Sequence, residues 1–336
     1  MFLVMHTHFH VARIARFTIM STLMSVYLTC SSVTLAHTNE WVKIESGTLS
    51  WLRAIHFAND NVGWIGGSSG ALFFTADGGQ SWQRSPRPTK DNIRDIFFAD
   101  PQNGWLLCEG PTNGSVLERT SHILETRDGG QTWHTIPFDG KDRQFIKFVT
   151  DQKRIIFVAG EEGSVAFSES AGEFSSIIQL ANRGIVSDGA ILANRTFFVV
   201  GGAGLLLRSS DLGRTWENPV LKDSGRRHRL NAVFFSNSSV GVAVGNVGRI
   251  VRTTDGGNSW ISVPSNVTED LYSVIFTDSF NGIAVGSNGV ILKTVDSGKT
   301  WFRSQSPNQH TLERVAASLK YIFAVGFGGT IIRKHR

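Results

Sequence analysis

The chain has 336 residues, with 35 glycines, 9 tryptophans and only 18% charged residues, a mixture suited to short strands and tight turns and unlike a helical bundle. Its 41% hydrophobic content excludes intrinsic disorder. The formal net charge of +5 is only mildly basic, and two cysteines, Cys30 and Cys108, exclude a disulfide scaffold.

Residues 1–36 read as an export signal. Arg13 and Arg16 form a positive n-region, Phe17 to Leu28 an apolar core, and Thr34-Leu35-Ala36 a small-residue cleavage site, so the mature chain is expected to start near His37. The apolar core is short for a membrane span; an uncleaved anchor is the main alternative, and a lipoprotein reading through Cys30 is weaker because Tyr27-Leu28-Thr29 is a poor lipobox. Cleavage would take Cys30 with it and leave Cys108 alone. Its setting, Leu106-Leu107-Cys108, reads as a buried strand.

From residue 37 to 336 one pattern recurs. Thr75-Ala76-Asp77-Gly78-Gly79-Gln80-Ser81-Trp82 returns in versions ending at Trp133, Trp216, Trp260 and Trp301, with acids at Asp128, Asp211, Asp255 and Asp296. The tryptophan gaps are 51, 83, 44 and 41 residues. The gap of 83 hides a degenerate copy, Ser168 to Phe174, which has lost its Asp and carries Phe for Trp. Each unit reads as four strands: an apolar alternation such as Leu52 to Phe57, a Gly-flanked strand such as Gly241 to Gly245, a third strand, and a fourth opening at the Trp. Four antiparallel strands in about forty residues make a propeller blade.

The ends fix the count. The last unit, Leu312 to Arg333, lacks a fourth strand, whereas Trp41-Val42-Lys43-Ile44 stands 41 residues before Trp82. The expectation is an all-β, seven-bladed propeller of four-stranded antiparallel blades, closed by the N-terminal strand completing the last blade. The Asp of each turn is expected to accept backbone hydrogen bonds, and the Trp to pack between blades. Asp77, Trp82, Asp128, Trp133, Asp211, Trp216, Asp255, Trp260, Asp296 and Trp301 are therefore structural.

The Ser/Thr-x-Asp-x-Gly-x-Thr/Ser-Trp element is the Asp-box, or BNR repeat, shared by sialidases, xyloglucanases and the sortilin propeller. Gly63 to Trp82 and Gly241 to Trp260 resemble most the repeat of the photosystem II stability/assembly factor family of cyanobacteria and chloroplasts, which has relatives in non-photosynthetic bacteria. The resemblance covers nearly all of residues 41–336. It implies a non-enzymatic, exported scaffold that binds membrane-protein or envelope-complex intermediates and carries an arginine patch.

Catalytic and metal sites are not expected. The chain has only three Tyr, and no His pair has metal-site spacing, so no cofactor is called for. The alternative is a BNR-type carbohydrate-active enzyme or lectin. Partner-binding candidates lie on the loops opposite the Asp-boxes: Arg53, Arg94, Arg143, Arg183, Arg226, Arg227, Arg229 and Arg249, with Lys90, Lys141 and His228, and an insertion near Pro111 to His122. These read as a basic face for an acidic protein partner, Arg being suited to carboxylates. The expected state is a monomer in the periplasm or cell envelope, with peripheral membrane contact open and nucleic acid not expected in an exported protein.

Overall fold

The computed structural model describes residues 40–112, 115–138, 143–151, 154–170, 173–181, 184–222 and 228–336. The leader expectation, and with it Arg183, Arg226, Arg227 and Lys141, lies outside the described residues.

Seven sheets form seven blades. Their innermost strands are Leu52–Phe57, Asn92–Phe98, Phe145–Thr150, Val186–Ile191, Leu230–Phe235, Leu271–Phe276 and Leu312–Ala317, taken here as blades 1 to 7. The ring closes as the sequence implies. Val42–Ile44 pairs antiparallel with Ile331–His335, in the register Val42 to Arg333 and Ile44 to Ile331, and so supplies the outer strand of blade 7.

The core is a set of slabs between blades. Seven clusters of buried side chains each draw on two neighbouring sheets, for example Ala54, Trp64 and Leu72 of blade 1 with Ile93, Phe98 and Leu106 of blade 2. Strands buried on both faces explain the near-continuous apolar runs, such as Gly241-Val242-Ala243-Val244-Gly245, all of it buried.

The Asp-box acts as a turn lock. In blade 5, Thr253 Oγ1 donates to Asp255 Oδ1 at 2.8 Å and accepts from Gly257 N–H at 3.0 Å. Ser259 N–H donates to Asp255 Oδ1 at 2.9 Å and Ser259 Oγ to Oδ2 at 2.6 Å. The last contact recurs at 2.6 Å on Asp77, Asp128, Asp211 and Asp296. Gly257 has φ +82°, and a Cβ there would fall 2.3 Å from the Phe198 ring of blade 4. The turn therefore needs glycine for its conformation and for its fit against the neighbouring blade. Trp260, fully buried, donates from Nε1 to Gly257 O at 3.2 Å and packs edge-on to Phe198.

This lock is pH-dependent. Burial opposes ionisation of Asp255, but hydrogen bonds from Ser259 and Thr253 outweigh it and bring its pKa to about 2. Asp77 and Asp296 behave alike, and Asp211, held mainly by Thr215, also sits at about 2. Because the folded pKa lies below the unfolded one, the stabilisation is complete above about pH 4 and is lost as pH falls toward 2. The melting temperature should drop across that window, and Asp255→Asn should make the drop shallower by the share of one lock, the other Asp-box acids still titrating. A melting temperature constant from pH 5 to 2 would contradict this.

Two blades depart from the regular unit. Blade 2 carries the insertion as an extended hairpin, Gly104–Thr112 and Ser115–Thr126, the longest strands of the described chain. Blade 4 has three strands, Val186–Ile191, Phe197–Gly201 and Leu206–Ser209, and only a two-residue bridge, Arg208 with Glu217, where its fourth would be. The chain then crosses over, and Val220–Lys222 pairs parallel with Ser259–Ser262 on the outside of blade 5. Pro219 accounts for this. Three residues beyond the box Trp, Ser85 and Val263 donate their N–H to Leu72 O and Ile250 O. Proline has no N–H to give at that position, and the ladder stops.

Candidate functional site: the mouth of the central channel

Every inner strand contains a β-bulge near its start. The pairing register jumps from Leu52 to Ala54, Ile93 to Asp95, Phe145 to Lys147, Val186 to Asp188, Leu230 to Ala232, Leu271 to Ser273 and Leu312 to Arg314. The skipped residues are Arg53, Arg94, Ile146, Ser187, Asn231, Tyr272 and Glu313. A bulge releases one residue from the ladder and re-aims its side chain. All seven of these side chains line one polar cavity of about 310 Å³, joined there by Trp51, Arg229, Asn246, Asp270 and Arg314. The bulges thus turn the inner ends of the strands into a seven-membered ring at one mouth of the channel. In a propeller this mouth lies on the face opposite the Asp-boxes.

Four arginines meet here. Arg53 lies over the Trp51 ring at 4.2 Å, an arrangement that holds a guanidinium flat. Arg94 Nη1 reaches Glu109 Oε2 at 3.4 Å, and Glu109 is buried. Arg229 Nε donates to Ser187 Oγ at 3.1 Å. Burial lowers the pKa of Arg229, and the charge of Arg94 lowers it further, so the two cations face each other in partial desolvation. Such a pair gains from an added carboxylate. Asn231 Nδ2 bridges Asn246 Oδ1 and Leu271 O at 2.8 Å each, fixing the rim between blades 5 and 6.

Below the ring lies a buried charged layer. Asp95 accepts from Lys147 Nζ at 3.1 Å and from Phe148 N–H at 2.8 Å, joining blades 2 and 3. Asp188 accepts from Val233 N–H at 3.1 Å, joining blades 4 and 5. Burial raises the pKa of Asp188, and the charges of Lys147 and Arg314 oppose the rise. Arg314 lines both the mouth and a second cavity of about 520 Å³ deeper in the channel.

Of the basic residues singled out from the sequence, Arg53, Arg94 and Arg229 are brought together at the mouth. Arg143 stands apart, donating from Nη1 to Ser164 Oγ at 2.9 Å. Arg249 closes the turn after Gly241–Gly245, its N–H donating to Asn246 O at 3.1 Å. Sequence reasoning missed Arg314, Glu313, Asp270 and Tyr272. The missed signal was positional: each bulge residue follows the first buried apolar residue of its inner strand. The face is also of mixed sign, with Asp270 and Glu313 among the mouth residues. Cys108 is buried, and desolvation pushes its thiol pKa up, as expected of a strand cysteine. Among the described residues no group of three or more His, Cys, Asp or Glu is arranged to hold a metal ion.

Comparison with known proteins agrees with this architecture. Residues 168–267 match the family model described as photosynthesis system II assembly factor YCF48. The photosystem II assembly protein Ycf48 of Thermosynechococcus vestitus is 28% identical over 200 residues, 58% of this chain and 54% of that protein. The chloroplastic photosystem II stability/assembly factor HCF136 of Arabidopsis thaliana is 26% identical over 235 residues, 63% of this chain and 56% of that one. The matched stretch thus spans about half the length of these curated relatives. A solved structure titled YCF48 bound to D1 peptide superposes with a TM-score of 0.69 over 89% of this chain and 97% of that one, at 19% identity, which speaks for the fold. With its Asp-box locks, seven blades and N-terminal closure, the chain is a BNR-repeat propeller resembling the photosystem II stability/assembly factors.

Proposed function

We propose that the protein is a non-enzymatic, exported binding scaffold that docks a membrane-protein or envelope-complex intermediate at its channel mouth, acting in assembly as its relatives' names describe for them. The observation that carries this reading is the convergence of seven bulge residues on one cavity, with Arg53, Arg94, Arg229 and Arg314 in it. Planar, partly desolvated guanidinium groups suit the carboxylates of an acidic protein segment. The likeness to a propeller whose title includes a bound D1 peptide supports a protein partner. The leader-like residues 1–36 and a chloroplastic relative support an exported location. The scaffold acts as a monomer in this reading.

The test is a photo-crosslinking phenylalanine analogue placed at Tyr272 in the mouth, half-buried and close to isosteric with it, and, separately, at Asn258 on the Asp-box side. In the native envelope, position 272 should yield one dominant adduct with a membrane-complex subunit, identified by mass spectrometry. Adducts from position 258 alone would contradict the reading.

A second reading, a BNR-type glycosidase, has one observation in its favour. Tyr272, Glu313 and Asp270 stand in the mouth beside the arginines, and sialidases use a Tyr nucleophile. Burial, reinforced by Asp270 and Glu313, raises the Tyr272 pKa above its usual 10, so the phenol holds its proton more firmly than a nucleophile would. Hydrolysis of a fluorogenic sialoside that disappears in Tyr272→Phe would establish this reading in place of the first.

A further inference from the structure

A local cluster of cations lies on the other side of the ring. Between blades 6 and 7 a groove of about 320 Å³ is lined by Lys293, Lys334, His335 and Arg336 together with Asp278 and Val295. Lys293 is on the blade 6 strand Ile291–Thr294, and Lys334 on Ile331–His335 of blade 7. Both lysines line the groove, where burial lowers the pKa of Lys334 and the charge of Lys293 adds to the shift, so the two ammonium groups repel each other. Asp278 does little to relieve them. Its Oδ1 accepts from Phe280 N–H at 2.7 Å and Asn281 N–H at 2.8 Å, and its Oδ2 from Asn281 Nδ2 at 2.7 Å.

Three large apolar side chains stand exposed at this corner: Phe280 at 62%, Val295 at 60% and Leu319 at 57%. Ser297 N–H donates to Phe280 O at 3.0 Å, which sets Phe280 beside the Asp-box turn bearing Val295. Arg336 N–H donates to Lys320 O at 2.8 Å, which brings the loop of Leu319 to the end of the groove. Lys320 and Lys299 are exposed nearby in sequence on the same loops. A single exposed apolar side chain is ordinary. Three on adjacent loops, beside two mutually repelling lysines, combine the two attractions that hold proteins on anionic bilayers: shallow apolar insertion and headgroup charge.

We propose that the Asp-box side of blades 6 and 7 is a docking surface for an anionic lipid bilayer, with Lys293 and Lys334 taking a phosphodiester headgroup and Phe280, Val295 and Leu319 entering the interface. A headgroup phosphate placed between the two ammonium groups converts their repulsion into two attractions. The surface is on the face opposite the channel mouth, so lipid and a protein partner can be held at once. The proposal does not depend on what the mouth binds.

The experiment places an environment-sensitive nitrobenzoxadiazole label on Leu319→Cys in the full chain with Cys30→Ser, Cys108 being buried. A control label goes on Val247→Cys, in an exposed turn at the mouth face. Phosphatidylcholine vesicles containing phosphatidylglycerol should raise and blue-shift the emission at 319 several-fold and leave 247 unchanged. Pure phosphatidylcholine should do neither. Raised salt should reverse the effect, and Lys293→Glu/Lys334→Glu should abolish it. The milder Lys293→Gln/Lys334→Gln should weaken vesicle affinity at least tenfold, which keeps the test decisive should the double Glu variant fold poorly. No response at 319, equal responses at both labels, an equal response to neutral vesicles, or full response in the Gln variant would each overturn the proposal. So would affinity for soluble glycerol phosphate without affinity for vesicles.

Discussion

Removing residues 41–46 lowers the melting temperature of the whole propeller by about 10 °C, although the segment is six residues long and lies at one end of the sequence. Trp41 is buried among Ile283, Leu312 and Ile332 between blades 6 and 7. Truncating a buried Trp costs about 3–5 kcal/mol. Val42–Ile44 also covers the outer edge of Ile331–His335, and Ser46 Oγ donates to Gly329 O at 2.6 Å. Losing these contacts brings the total to roughly 5 kcal/mol, and for a domain of this size each kcal/mol moves the midpoint by about 2 °C. Opening the ring also exposes a sheet edge, so the truncated protein should aggregate on heating. Calorimetry should show one cooperative transition, shifted downward. An unchanged midpoint would mean that blade 7 stands without its N-terminal strand.

That closure was legible in the sequence because it depends on a period. Trp41 and Trp82 stand 41 residues apart, and a last unit without its fourth strand leaves one place for the first strand to go. The Asp-box turns were equally legible, since Asp255, Gly257 and Trp260 act within one short segment. The mouth was only half legible. Arg53 and Arg94 could be placed at strand starts, but which residue a strand aims into the channel depends on its register with the next strand. The bulges that set this register are a property of pairing, and no residue type marks them: the skipped positions hold Arg, Ile, Ser, Asn, Tyr and Glu. Glu313 and Tyr272 were therefore missed, and with them the mixed sign of the face. The interruption of blade 4 could have been found from Pro219, which falls where other blades need an N–H. The groove of Lys293 and Lys334 joins residues about forty positions apart on different blades, and only their packing shows that they repel one another.

The most direct measurement of the central claim is partner binding by Arg53→Glu/Arg229→Glu. These two are chosen because Arg94 is the partner of buried Glu109 and has to stay. Arg53, on Trp51, and Arg229, beside Ser187, present charge to the cavity. A hydrogen bond to a charged group contributes about 1.5–3 kcal/mol, and reversal adds repulsion. The pair should cost at least about 3 kcal/mol, which weakens binding by roughly 100-fold or more. The neutral Arg53→Gln/Arg229→Gln should fall between the reversed and native proteins. Melting temperatures of both variants should stay within about 4 °C of the native value, because Arg229→Glu also removes the repulsion between Arg229 and Arg94. Quantitative capture of the crosslinked partner from the native envelope, with melting curves on the same preparations, reads both. The account predicts a folded protein that no longer captures its partner; capture undiminished by the Glu pair in a protein of native stability would contradict it.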